Sequence, residues 1–240
     1  MRKFAILLLS VTAMLLIQCK KPPGKQAFCL FSNFIGIRQD NTIKFYLTKY
    51  EKTWTYGTGR DFVSPANFDN AFYFEGDFIG VRQGKTVKFY KTNKKGNWTY
   101  HVNTDFVSPE NIDGVFPFSD NSIGVWHGST VKFYETNAGG KWSASAIKDF
   151  VSSEPFDDVF RLMENFIGVR TGSLVKFYTI GKSGSWEYVP GRDFTTSAGF
   201  DCIFCLNTGP IAVLVNRTIK FYKINDKGKW DYISGNDFTF

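Results

Sequence analysis

The chain has 240 residues, 43% of them hydrophobic and 18% aromatic, which is enough to bury one sizeable core or two small ones. Its 26 Phe and 11 Tyr favour a β-rich interior, and no helical pattern stands out after the first twenty residues. The net charge of +7 is spread along the chain rather than clustered, which argues against nucleic-acid binding.

The first stretch, MRKFAILLLSVTAMLLIQCKK, has a basic start, an apolar run over 4–17 and then a cysteine. That run is too short and wrongly flanked for a membrane span, so it reads as an export signal. LIQC resembles a bacterial lipoprotein processing box, which implies a signal peptide over 1–18, cleavage before Cys19 and lipidation of the Cys19 thiol. An ordinary signal peptide and an uncleaved anchor are the alternatives. Loss of Arg2 and Lys3 takes the 29 basic residues to 27 against 22 acidic ones, a mature charge of +5. Residues 19–26 then form a lipid-anchored, proline-stiffened tether. Its lysines would lie beside anionic headgroups, each worth on the order of 1 kcal/mol. The expected location is the bacterial cell envelope, outside the cytoplasm.

From residue 27 onward the chain repeats. IGIRQDNTIKFY at 35 returns as IGVRQGKTVKFY at 79, IGVWHGSTVKFY at 123, IGVRTGSLVKFY at 167 and IAVLVNRTIKFY at 211, in steps of 44 residues. Trp54, Trp98, Trp142, Trp186 and Trp230 keep that step, as do Asp61, Asp105, Asp149, Asp193 and Asp237 in the recurring Asp-Phe pair. A fixed period of this length with several short strands per unit is the signature of propeller blades. The expected fold is therefore all-β: a five-bladed β-propeller over 27–240, with 44-residue, four-stranded blades. In the second unit the four strands are expected at 71–74, 78–82, 86–91 and 98–101.

Several columns of the repeat have a physical reading. Asp40, Gly84, Gly128, Gly172 and Asn216 share the turn between the second and third strands, and all are residues that tolerate positive φ in a tight hairpin. Gly36, Gly80, Gly124, Gly168 and Ala212 in the second strand imply close approach by a neighbouring sheet. The Phe columns led by Phe28 and Phe45 suit inter-blade core, and the Trp column serves either that core or a ligand platform.

The segments FVSPANFDNAF (62–72), FVSPENIDGVF (106–116), FVSSEPFDDVF (150–160) and FTTSAGFDCIF (194–204) resemble the hemopexin repeat. Five uninterrupted units with a phenylalanine-rich first strand and a Trp opening the outer strand resemble instead the tachylectin-2 type of five-bladed lectin. The hemopexin resemblance implies a weak cation site, for an ion such as calcium, lined by the backbone carbonyls of Asp69, Asp113, Asp157 and Asp201 in the axial channel. Apart from that ion, no cofactor is expected.

Ring closure raises the role of the cysteines. Cys29 and Cys205 lie four periods apart, in blades that become neighbours only when the ring closes, and export permits a closing disulfide. Cys202 is a rival partner for Cys29, and buried thiols are the alternative.

Catalysis needs differently tuned groups at one singular place, whereas this chain offers sameness. His101 and His127 are its only histidines, and no Ser/His/Asp set or His/Cys metal spacing appears. The Asp61, Asp105, Asp149, Asp193 and Asp237 ring is a ligand candidate, or a set of aspartates fixing their own loops. Arg38, Arg82 and Arg170, interrupted by Trp126 and Leu214, form a partial ring that either faces solvent with the lysines from Lys44 onward or lines inter-blade pockets. The expectation is a non-enzymatic, monomeric recognition protein with equivalent inter-blade pockets, binding a glycan as the lectin resemblance implies. The alternatives are a scaffold for an extracytoplasmic protein, as the hemopexin resemblance implies, and, less favoured, a glycoside hydrolase.

Overall fold

The computed structural model describes residues 26–31, 34–49, 53–74, 76–93, 95–163, 165–197, 199–206 and 209–240. Cys19, the signal and most of the tether lie outside them. The described residues form five antiparallel sheets in chain order, and no helix. Each sheet runs first strand, second, third, fourth, with a fifth short strand also paired to the third. The inner strands are Ala27–Phe31, Asn70–Tyr73, Gly114–Ser119, Asp158–Met163 and Cys202–Cys205, and each touches the next around a closed ring that returns from the fifth to the first. The protein is a five-bladed β-propeller.

Within a blade the hairpin chemistry is as expected. Asp40, Gly84, Gly128, Gly172 and Asn216 all adopt φ between 57° and 60°, the left-handed conformation that a tight β-turn needs. The second blade follows as Phe78–Gln83, Thr86–Thr92 and Trp98–Tyr100. A strand not expected from the sequence is Phe106–Val107, which opens the segment resembling the hemopexin repeat and pairs with the start of Thr86–Thr92. Both it and Trp98–Tyr100 lie along one edge of the third strand, with residues 101–105 looping out between them.

The blades bury one another. Each of the five core clusters joins one face of a blade to the opposite face of the next; one combines Phe28, Phe45 and Phe62 with Ala71, Ile79 and Tyr90. The last cluster sets Phe204, Leu214 and Phe221 of blade five against Ala27, Ile35 and Ile37 of blade one. A lone sheet would leave these faces in water, at about 25 cal/mol per Å² of apolar area. Every Trp of the outer strand lies on a third-strand Phe of the preceding blade, with centroids 5.4–5.8 Å apart.

The glycine column has a different cause from the one expected. A Cβ on Gly36, Gly80, Gly124 or Gly168 would sit 2.3–2.6 Å from the ring of Phe28, Phe72, Phe116 or Phe160 in the same blade, so the space is taken by its own first strand and not by a neighbouring sheet. Large, small and large residues thus lie in one row, as in Phe72, Gly80 and Phe89.

Candidate functional site

The arginine ring does not line solvent-facing pockets. Arg38 and Arg170 are buried, and the three arginines reach across their junctions to the carbonyls that begin the next inner strand. Arg38 donates to Phe68 O and to Asp69 O (2.9 Å), Arg82 to Ile112 O and Asp113 O (both 3.2 Å), and Arg170 to Phe200 O (2.8 Å). Burial lowers the pKa of Arg38 and Arg82, with Asp69 partly offsetting the shift. Trp126, in the same column, is buried against the blade-four layer instead.

This clamp bears on the implied channel ion. The carbonyls of Asp69 and Asp113 already face a guanidinium, which repels a cation, so these two do not fit that role. The carboxylates of Asp69, Asp113 and Asp157 accept the backbone N–H of Gly84, Gly128 and Gly172 at 2.7–2.8 Å, pinning the hairpin of their own blade. Asp201 N donates to Leu214 O. Among the described residues no group of three or more His, Cys, Asp or Glu is arranged to hold a metal.

The Asp-Phe ring is also held within the blades. Tyr56, Tyr100 and Tyr188 donate their hydroxyls to Asp61, Asp105 and Asp193 at 2.6–2.9 Å, and Tyr232 bonds Asp237. That bond raises the pKa of each phenol. In these blades the aspartate is thus paired with a tyrosine hydroxyl five residues earlier in the chain. Ala144 stands in that tyrosine column in blade three, so Asp149 lacks this partner.

No disulfide joins the described cysteines. Equivalent positions of a propeller point in the same rotational sense: Cys29 packs toward blade five, whereas Cys205 packs toward blade four, where its thiol donates to Leu162 O at 2.9 Å. Sharing a column therefore works against pairing. Cys202 does face blade one, but its sulfur meets Ala27, two residues from Cys29. Burial pushes the thiol pKa of both Cys202 and Cys205 up to about 12.

A cleft of about 480 Å³ lies between blades two and three. Phe74, Phe89 and Trp142 form its apolar wall, with Phe74 and Phe89 centroids 5.0 Å apart and Trp142 stacked on Phe89 at 5.5 Å. Phe78 lies edge-on to His101 at 5.1 Å, with Lys91 Nζ 5.2 Å from its centroid. Asp77, Thr104 and Asn137 add polar groups. Trp142 Nε1 donates to Thr104 O at 2.8 Å, tying the two blades together at the cleft floor. Apolar ring faces beside a few polar groups are the make-up of a small-ligand site.

The other described junctions differ at one column. Arg60 reaches over the Phe34 ring (5.6 Å to the centroid) between blades one and two, and Arg192 over Phe166 (5.9 Å) between blades four and five. Lys148 crosses from blade three to blade four, donating to Ser183 O at 3.3 Å and Ser185 Oγ at 3.4 Å. Threonine at 104 is too short for any such reach. The junctions expected to be equivalent therefore differ in this column.

A smaller cleft, of about 200 Å³, opens at the same junction beside Glu110, Trp126, His127 and Lys132. Lys132 Nζ meets Glu110 Oε1 at 2.8 Å and His127 Nδ1 meets Asp113 Oδ2 at 3.2 Å, both pairs exposed to water that screens them.

No family model matches the chain, and no curated protein matches it. Among solved structures it is similar to a functionally unknown protein from Desulfotomaculum acetoxidans DSM 771, at 16% identity and a TM-score of 0.48, covering 89% of this chain and 69% of that one. It is also similar to Hsv2 of Kluyvelomyces marxianus, at 9% identity and a TM-score of 0.50, covering 86% of this chain and 77% of that one. At these identities the likeness bears on the fold alone, and nothing rests on the first.

Proposed function

We propose that this chain is a non-catalytic recognition protein, tethered by lipid at Cys19 to a bacterial envelope, that takes a glycan in a cleft between blades. The observation that carries this reading is the cleft of blades two and three, lined by the aromatic rings of Phe78 and Trp142 beside Asp77, Lys91 and Asn137. A pyranose has an apolar face that stacks on such rings and hydroxyls that suit such polar groups. The resemblance to five-bladed lectins supports the same ligand class. A glycan array probed with the purified protein tests it: saturable binding lost in Trp142→Ala supports the reading, and a blank array removes it.

A second reading, a scaffold for another extracytoplasmic protein, has its own observation. Val63, Val107 and Val151 share one column on the fifth strands and are 62–67% exposed, with Tyr56, Tyr100, Tyr188 and Tyr232 also exposed on the fourth strands. Such an apolar rim suits a protein surface. Val107→Asp would weaken capture of a protein partner and leave glycan binding unchanged.

A further inference from the structure

Of the five junctions, three have a long basic side chain in this column, a fourth has Thr104, and the fifth, part of which lies outside the described residues, has Asn236. We infer that the residue at position 60 of the first blade, and its equivalents Thr104, Lys148 and Arg192, decides which junction binds: Arg60, Lys148 and Arg192 are built-in occupants of their clefts, and Thr104 leaves one site open for a pyranose ring. The inference rests on reading the inter-blade cleft as the recognition site, and it makes Thr104 a specificity-determining position.

Three observations support it. The guanidinium of Arg60 lies over Phe34, and that of Arg192 over Phe166, at the positions equivalent to Phe78, where Thr104 is too short to do the same and the cation over the ring is Lys91 of the cleft wall, at 5.2 Å. The stem of Arg60 fits because Gly96 has no side chain; a Cβ there would lie 2.8 Å from Arg60 Cγ. At the open junction Gly140 has the same role, but the atom it would meet, also at 2.8 Å, is Thr104 Cγ2, where the side chain ends. A side chain anchored in the same chain competes with any ligand without the translational cost that the ligand bears, so a weak contact in cis suffices to exclude a weak ligand.

The column can be exchanged without breaking the junction. Trp98, Trp142, Trp186 and Trp230 each donate Nε1 to the backbone carbonyl of this column, at Arg60, Thr104, Lys148 and Arg192, and a backbone acceptor survives any substitution. The probe is phenyl β-D-glucopyranoside, neutral and carrying both an aromatic and a pyranose face, soaked into crystals and titrated calorimetrically in solution. Wild-type protein should hold one molecule, between blades two and three. Thr104→Arg should raise its Kd by about tenfold or more, with Thr104→Lys as the substitute if the arginine variant does not fold. Arg192→Thr should admit a second molecule between blades four and five. An empty cleft in wild type, unchanged binding in the folded Thr104 variants, or no gain in Arg192→Thr overturns the inference. Occupancy that follows this column while the glycan array stays blank keeps the plug and removes only the glycan reading.

Discussion

The junction of blades two and three and the junction of blades five and one are built on one template and part from it in opposite directions. The first keeps every tie, with Arg82 on the carbonyls of Ile112 and Asp113 and Trp142 on that of Thr104, and gives up only the plug at its rim. The second, among the described residues, lacks both of these ties. Leu214 stands in the arginine column, and Trp54 stacks on Phe221 at 5.8 Å while its buried Nε1 finds no acceptor. Among the described residues, aromatic and aliphatic packing closes the ring here with the contacts of the Cys202 sulfur to Ala27 and without the arginine and tryptophan ties. The polar ties set the fit of individual junctions, and a junction that keeps them can open its rim without coming apart.

Removing the packing that all junctions share should have the largest effect. Phe177 is fully buried between Phe160 and Trp230, so Phe177→Ala should cost about 3–5 kcal/mol in chemical denaturation. Next comes the arginine clamp. Arg38→Met leaves the carbonyls of Phe68 and Asp69 without this donor, and a loss of about 2 kcal/mol is expected. The blade-three slot, filled by Trp126, should tolerate Trp126→Leu better than the arginine slots tolerate methionine.

The sharpest form of the comparison is one substitution made at two junctions. Trp142→Phe and Trp54→Phe remove similar ring area, but only the first breaks a hydrogen bond. The Trp142 variant should be the less stable of the two by about 1 kcal/mol, and equal losses would show that the Nε1 tie is not stabilising.

The smallest effect expected is a decline in alkali. The phenols of Tyr56, Tyr100, Tyr188 and Tyr232 are raised above 10.0 by their aspartate bonds, and those of Tyr90 and Tyr178 chiefly by burial. The folded state then holds these protons more tightly than the unfolded chain does. Their contribution is complete below pH 10 and is lost as pH rises through the folded values, so Tm should fall as pH is raised above about 10. Tyr100→Phe should flatten that fall, whereas a Tm that is level across this range would count against the tyrosine–aspartate pairs.

Much of the fold could be read from the residues because it depends on local sterics and on period. The step of 44 residues, the turn column from Asp40 to Asn216 and the phenylalanine columns each state a requirement that one blade must meet by itself. The candidate site was less legible. Arg38, Arg82 and Arg170 looked like a surface ring until the next blade supplied their acceptors. The tyrosines five residues before Asp61, Asp105, Asp193 and Asp237 were a visible signal for the loop pairs that went unused. The column running Arg60, Thr104, Lys148 and Arg192 is equally plain in the sequence, but its irregularity has no meaning until two blades face each other.

By itself the sequence determined the wedge: an antiparallel sheet with two apolar faces, made five times, that must hide those faces on its copies. Only the tertiary structure decided what each departure from the repeat does, because a blade's two faces meet different neighbours. Cys29 and Cys205 share a column yet look toward different blades, and Thr104 shares one with Arg60 yet leaves a cleft where the arginine fills one.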